Sequence, residues 1–365
     1  RYSVLSLFGL VPAALLGLDI SRLLERAGKM AGRCHEGRSI EDNPGAYLGM
    51  AMGALAKAGR DKVTILASSP IDSFGLWAEQ LLAESTGKET KGIVPVAQEP
   101  VLGPAMYGND RFFVYLRLKG AKNQTLDRHV HALTRAGHPV LTLALRDQYD
   151  LGAEFFRWEY ATAVAGHVLG IQPFDQPNVQ ESKDNTRRVL DGYQATGRLP
   201  ETAVSNPGEA AAVLAGHLHA GSYVAILAYT TPSKPLETAI RRLRKAVVQQ
   251  HHVTTTFGYG PRYLHSTGQL HKGGPASGVF LELVDRMTPD LPIPAQTFSF
   301  GTLAKAQATG DLESLQAHGH PAIRVMLGAN PVTTVNAIVS RLCPPPRRPR
   351  RQAVSVKRRS SRRPR

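Results

Sequence analysis

Short apolar, β-branched runs that alternate with helix-patterned stretches leave this chain few folds to choose from. Residues 62–68 (KVTILAS), 92–97 (GIVPVA), 111–118 (RFFVYLRL) and 139–145 (PVLTLAL) have strand length and strand composition. Helical patterns stand before, between or after them, at 46–58, 73–83, 126–136 and 152–169. That order is the signature of βαβ units, in which each crossover helix covers one face of a parallel sheet. The expected fold class is α/β: a three-layer sandwich of parallel sheet and helices, followed by a second α/β unit.

The second unit is placed by a change of composition. Residues 170–208 are rich in Pro, Asn, Asp and Gln, which predicts a loop, a short helix and a linker, with a domain boundary near Asn206. Beyond it the pattern resumes, with strands expected at 223–229, 278–284 and 322–327 and helices at 236–249, 302–308 and 333–342. The expected division is 1–205, 206–343 and a basic tail at 344–365. Two similar sheets in one chain fit an old duplication.

A formal net charge of +15 invites a nucleic-acid reading, but the charge is unevenly placed. Ten Lys and Arg and no acid fall between Arg347 and Arg365, so the remainder carries only +5. A mildly basic body suits an anionic substrate. The tail has no apolar periodicity and is expected to be disordered, with no catalytic role, and nucleic acid is not an expected partner.

Cys34 and Cys343 stand alone, which excludes a disulfide framework and points to a reducing cytoplasm. Residues 4–20 imitate a signal-peptide core. They contain Pro12, lack a small-residue cleavage pattern and are too short for a membrane span, so a buried helix is expected. The chain opens on Arg1 rather than Met, and residues upstream are expected to be missing.

Common chemistry-bearing motifs fail on inspection. The STGK at residues 85–88 is not a P-loop, because Leu82 stands where glycine is needed and Glu89 where Ser or Thr is needed. No GxSxG elbow or GxGxxG fingerprint occurs, and His251, His252, His265 and His271 lack companions at metal-ligand spacing. Neither metal nor nucleotide cofactor is expected.

Four other segments carry a resemblance. RYSVLS at residues 1–6 is similar to the end of a Gly-Gly-Arg-Tyr-Ser signature, and AESTGK at 83–88 to Glu-Ser-Asn-Gly-Lys. PFDQPNVQESK at 173–183 is similar to an Asn-Pro-Phe-Asp-Gln segment that ends in lysine, and LHSTGQ at 264–269 to Leu-His-Ser-x-Gly-Gln. Together they resemble the glucose-6-phosphate isomerases, whose fold is of the sugar-isomerase (SIS) type. The isomerase part of bacterial transaldolase/isomerase fusions matches further, through YLHSTGQLHKGGP and FGTLAKAQATGDLESL.

The resemblance implies interconversion of glucose 6-phosphate and fructose 6-phosphate through a cis-enediol, with a sugar phosphate as substrate. It also implies an upstream transaldolase domain and a homodimer, with no membrane partner. The family's phosphate-cradling loop, Ser-Lys-x-x-Thr-Thr, would lie upstream of Arg1, so this chain alone is expected to be impaired. TTPSKPLET at 230–238 is no substitute, because its prolines remove backbone N–H donors that a phosphate loop must offer. His265 also follows Lys183, the reverse of the usual family order.

Aldose–ketose isomerisation requires a base for a weakly acidic proton, a cation beside the enediolate oxygens and an acid/base for ring opening. By resemblance, Glu84 is the base, Arg1 the cation, and Lys183 with His265 the ring-opening pair. Glu84 is expected at a helix C-terminus, where it opposes the macrodipole and its pKa rises. Lys183 is expected in a loop fixed by two prolines, with Lys305 a lesser alternative. Ser3, Ser85 and Gln269 are expected to bind substrate. The rival reading is a non-catalytic, sugar-phosphate-binding regulatory SIS module, which needs the sugar site but no base.

Overall fold

A computed structural model describes residues 1–343; the expected basic tail lies outside the described residues. The first unit runs α1 (Leu7–Leu15), α2 (Ile20–Arg33), α3 (Pro44–Lys57), β1 (Lys62–Ala67), α4 (Phe74–Thr86), β2 (Val94–Ala97), β3 (Arg111–Leu118), α5 (Gln124–Arg135), β4 (Val140–Leu145) and α6 (Leu151–Leu169). Its sheet is wholly parallel in the order β2-β1-β3-β4.

Side-chain alternation divides that sheet into two faces. Val63, Ile65, Val114 and Leu116 pack against Leu48 and Met52 of α3, Leu81 of α4 and Trp158 of α6. Leu66, Phe113 and Tyr115 lie on the other face with Leu133 of α5. The α/β sandwich expected from the sequence is therefore present, helix over sheet over helix.

After α7 (Pro177–Thr196) and α8 (Pro207–His217), the second unit continues β5 (Tyr223–Tyr229), α9 (Lys234–His251), β6 (Thr254–Tyr259), α10 (Gly268–Gly273), β7 (Gly278–Val284), α11 (Phe300–Ala317), β8 (Ala322–Met326) and α12 (Pro331–Leu342). Its parallel order β6-β5-β7-β8 repeats that of the first sheet. Val224, Ile226 and Ala228 meet α8, α9 and α12, whereas Tyr223, Ala225 and Leu227 meet Tyr263, Leu270 and α11. Ala83 and Val94 of the first unit join the latter cluster, so the two units share packing. We propose the division 1–205 and 206–343 with α7 lying along α11, where Glu181 accepts from Ser314 and Arg188 pairs with Glu313.

Four local expectations are corrected. Residues 4–20 do not form a buried helix: α1 has no buried residue, and Phe8 is 86% exposed. Gly17, at φ +80°, then turns the chain into α2. Residues 177–196 form a 20-residue helix rather than a short one. Its few apolar residues give no strong stripe; contacts with α11 stabilise it instead.

The strand β6, TTTFGY, was not expected. Its threonines look like loop, yet Thr254 and Thr255 are fully buried where the edge strands β2 and β6 of the two sheets meet. Finally, the helix expected at 302–308 runs to Ala317. Among the described residues, no helix is long and apolar enough to cross a membrane.

Candidate active site

The site is built around the last turn of α4. Leu81, Leu82 and Ala83 are fully buried, which leaves Glu84 and Ser85 no solvent-facing side of the helix to occupy. Thr86 closes the helix, donating to the Leu82 carbonyl at 2.8 Å and accepting from Ile93 N at 2.9 Å. Gly87 is the C-cap, and its carbonyl accepts from Gln269 Nε2 at 2.9 Å.

Here the four segments singled out in the sequence converge. Arg1 donates to Ser85 Oγ at 3.3 Å and to the Pro173 and Phe174 carbonyls at 3.0 and 3.1 Å. Its Nε lies 3.6 Å from Glu84 Oε2, and both side chains are under 10% exposed. Lys88 pairs with Asp175 at 2.7 Å and donates to the Gln172 carbonyl, tying AESTGK to PFDQ. Gln269 completes the junction: its Oε1 accepts from Asn178 N at 2.9 Å and its Nε2 donates to Asn178 Oδ1 at 2.8 Å.

Burial lifts the Glu84 carboxyl above the usual carboxylate range, with Arg1 and then Gln80 pulling it back. The direction matches the sequence expectation, and desolvation is its largest cause. Burial likewise lowers Lys88, opposed by Asp175, and raises the Tyr2 phenol.

Lys183 and His265 stand apart from this buried cluster. Both are exposed and line a cavity of about 300 Å³ with Leu190, Leu264 and Phe298. Lys183 lies on α7, not in a proline-fixed loop: Pro177 occupies the first turn of the helix that carries it. His265 ends a one-turn 3-10 helix, Arg262–His265. Gln80 joins the two places, donating to the His265 carbonyl at 2.9 Å and to Glu84 Oε2 at 3.4 Å. Ser3 is exposed; its carbonyl accepts from Ser6. Lys305 lies on α11, outside this cavity's wall.

Reading the sequence missed Gln80, Asp175 and Asn178 as members of this network. Asp175 and Asn178 lie inside the quoted PFDQPNVQESK segment, where they had a signal. Gln80 had only its position four residues before Glu84, one helical turn away.

The junction also makes a demand on Gly87. A Cβ there would fall 2.3 Å from Leu270 Cα, against the backbone of α10. Gly87→Ala is therefore expected to cost about 1–3 kcal/mol of stability by overpacking, read from urea denaturation. An unchanged midpoint would mean that α10 moves aside freely.

Paired parallel sheets with a buried carboxylate–arginine contact at one helix end define an α/β protein of two like-ordered sheets. No family model matches the chain. Curated relatives named glucose-6-phosphate isomerase do: that of Symbiobacterium thermophilum is 30% identical over 233 residues, covering 53% of this chain and 52% of the relative. That of Rubrobacter xylanophilus is 32% identical over 236 residues, covering 53% and 54%. Over that half, the chain is similar to these glucose-6-phosphate isomerases.

The chain spans about half the length of the curated relatives it matches. Among solved structures, the C-terminal domain of glucosamine-fructose-6-phosphate aminotransferase from Francisella tularensis matches at TM-score 0.28 and 12% identity, covering 88% of this chain and 91% of that one. A Thermus thermophilus protein matches at TM-score 0.32 and 13% identity, covering 91% and 88%.

Proposed function

We propose that this chain carries the proton-transfer machinery of a glucose-6-phosphate isomerase, interconverting glucose 6-phosphate and fructose 6-phosphate through a cis-enediol. The observation that carries the reading is Glu84 held against Arg1 where the four family-like segments meet. In the proposed reaction Glu84 takes the carbon-2 proton of the open-chain aldose and returns it to carbon 1. Arg1, oriented by two backbone carbonyls and Ser85, offsets the charge that develops on the enediolate oxygens. Ser85 and Gln269 shape the site; the exposed Ser3 has the weakest claim to a substrate contact.

Lys183 and His265 are proposed to exchange protons at the ring oxygen and the carbon-1 hydroxyl. Their shared cavity, one glutamine away from Glu84, supports that assignment. Lys183→Ala is expected to slow turnover of the cyclic sugar by about tenfold or more while sparing an open-chain substrate. Stopped-flow comparison of the two substrates reads the difference, and equal losses on both would refute the role. An upstream transaldolase domain belongs to the same proposal and rests on YLHSTGQLHKGGP and FGTLAKAQATGDLESL.

The regulatory reading draws on one observation: neither Glu84 nor Arg1 lines the cavity that holds Lys183 and His265. A direct assay separates the two. Conversion of fructose 6-phosphate by the purified protein, with deuterium entering carbon 2 from heavy water, supports the isomerase. Saturable sugar-phosphate binding without exchange selects the regulatory module.

A further inference from the structure

A second charged cavity, of about 260 Å³, lies where the carboxyl ends of β2 and β6 meet. It is lined by Arg241, Arg244 and Arg262, with Gln98, Glu237 and Tyr259. Ligands of open parallel sheets bind in such crevices, outside the carboxyl ends of the strands. Nothing in the isomerase reading uses these arginines.

Arg244 is built in rather than draped over the surface. It is 5% exposed, and its guanidinium donates to Thr255 Oγ1 at 3.1 Å, the Thr255 carbonyl at 2.9 Å, the Ala97 carbonyl at 3.2 Å and the Gln98 carbonyl at 3.0 Å. A guanidinium has five N–H donors, so one Nη1 N–H remains for the cavity. Those bonds fix the fork in place before any ligand arrives. Gln98 is itself held in the left-handed region at φ +50°, which brings the chain after β2 back over the cavity.

Charge selects the ligand class. Three arginines against one glutamate leave a net charge equal and opposite to a phosphate dianion. The neighbouring Glu79 is only partly ionised at neutral pH, because burial pushes its carboxyl up to about 7 against the pull of Arg244 and Arg262. Guanidinium forks suit phosphate oxygens geometrically, and the volume admits a small phosphate compound.

We propose that the crevice formed by Arg241, Arg244 and Arg262 is a second anion site, which takes a phosphate dianion either free or as the head of a small monoester. Arg262 and His265 occupy the same 3-10 turn, so an anion held by Arg262 also restrains one wall of the cavity that His265 lines.

The test titrates the full chain with inorganic phosphate at constant ionic strength and follows Tm together with ³¹P line width. A saturable response is expected, weakened about tenfold or more in the double variant R241A/R262A. Should that variant not fold, R262Q is measured by ³¹P line width alone. Repeating the titration with glycerol 3-phosphate, which has no carbonyl for Glu84, separates the sources. Equal affinity for both probes assigns free phosphate, and tighter binding of glycerol 3-phosphate assigns a monoester. A phosphate response that these substitutions leave unchanged, or no saturable response in the unsubstituted chain, overturns the proposal.

Discussion

Glu84→Gln is expected to slow exchange of the carbon-2 proton with heavy water by roughly 10²- to 10⁴-fold, the contribution of a positioned base to proton abstraction. Glutamine keeps the size and the hydrogen-bonding capacity that Arg1 and Gln80 meet at this position, so the loss isolates the base. Binding of a phosphorylated sugar acid should change far less. The measurement is deuterium incorporation at carbon 2 in an active preparation of the protein. Near-normal exchange in Glu84→Gln would move the base to another carboxylate and leave the regulatory reading as the stronger account.

The pH profile gives the same residue a second readout. Because burial raises the Glu84 pKa, the acidic limb of the rate profile should lie above the pH at which a solvent-exposed glutamate titrates. Arg1 pulls that pKa down, so Arg1→Gln should move the limb further up, whatever it does to the maximal rate. The linkage sign is consistent: a raised carboxyl pKa gives stability that is fully present below the unfolded value and is lost as pH rises through the folded one.

Glu99→Ala should cost about 3–5 kcal/mol of stability, because it strands buried charge at the seam between the sheets. Glu99 pairs with Arg111 at 2.9 Å and accepts from Thr255 N and Oγ1 at 2.9 and 3.0 Å, joining the segment after β2 to β3 and to β6. Arg111 is fully buried and stacks its guanidinium over Tyr107, so no solvent is available to replace the carboxylate. Urea denaturation reads the loss. The double replacement Glu99→Leu/Arg111→Met should recover part of it, since it removes the stranded charge together with its partner. A loss below about 1 kcal/mol in Glu99→Ala would mean that water reaches Arg111 when the carboxylate is gone.

The strands were legible because burial on both faces demands continuous apolar runs, and β1, β3, β5 and β7 have them. The strand β6 was not, because threonines become core residues only when a second sheet edge lies against them. The polar α7 failed for a related reason: its partners lie on α11, more than a hundred residues along the chain. In α1 the error ran the other way, since apolar composition predicted burial and no described element covers that face.

The site divides along the same line. Glu84, Arg1, Lys183 and Gln269 were named from short segments whose local residue types survive any rearrangement of the chain around them. Alternating apolar runs likewise dictated parallel strands and crossover helices, because strand and helix periodicities are local properties of neighbouring residues. Distance, exposure and partnership are properties of residues far apart in sequence, and only packing decided them. Packing placed Arg1 3.6 Å from Glu84, raised the Glu84 pKa by desolvation, and put Lys183 on a helix that lines one cavity with His265. It also gathered three arginines from α9 and the turn after β6 around one crevice, a charge cluster that no window of neighbouring residues contains.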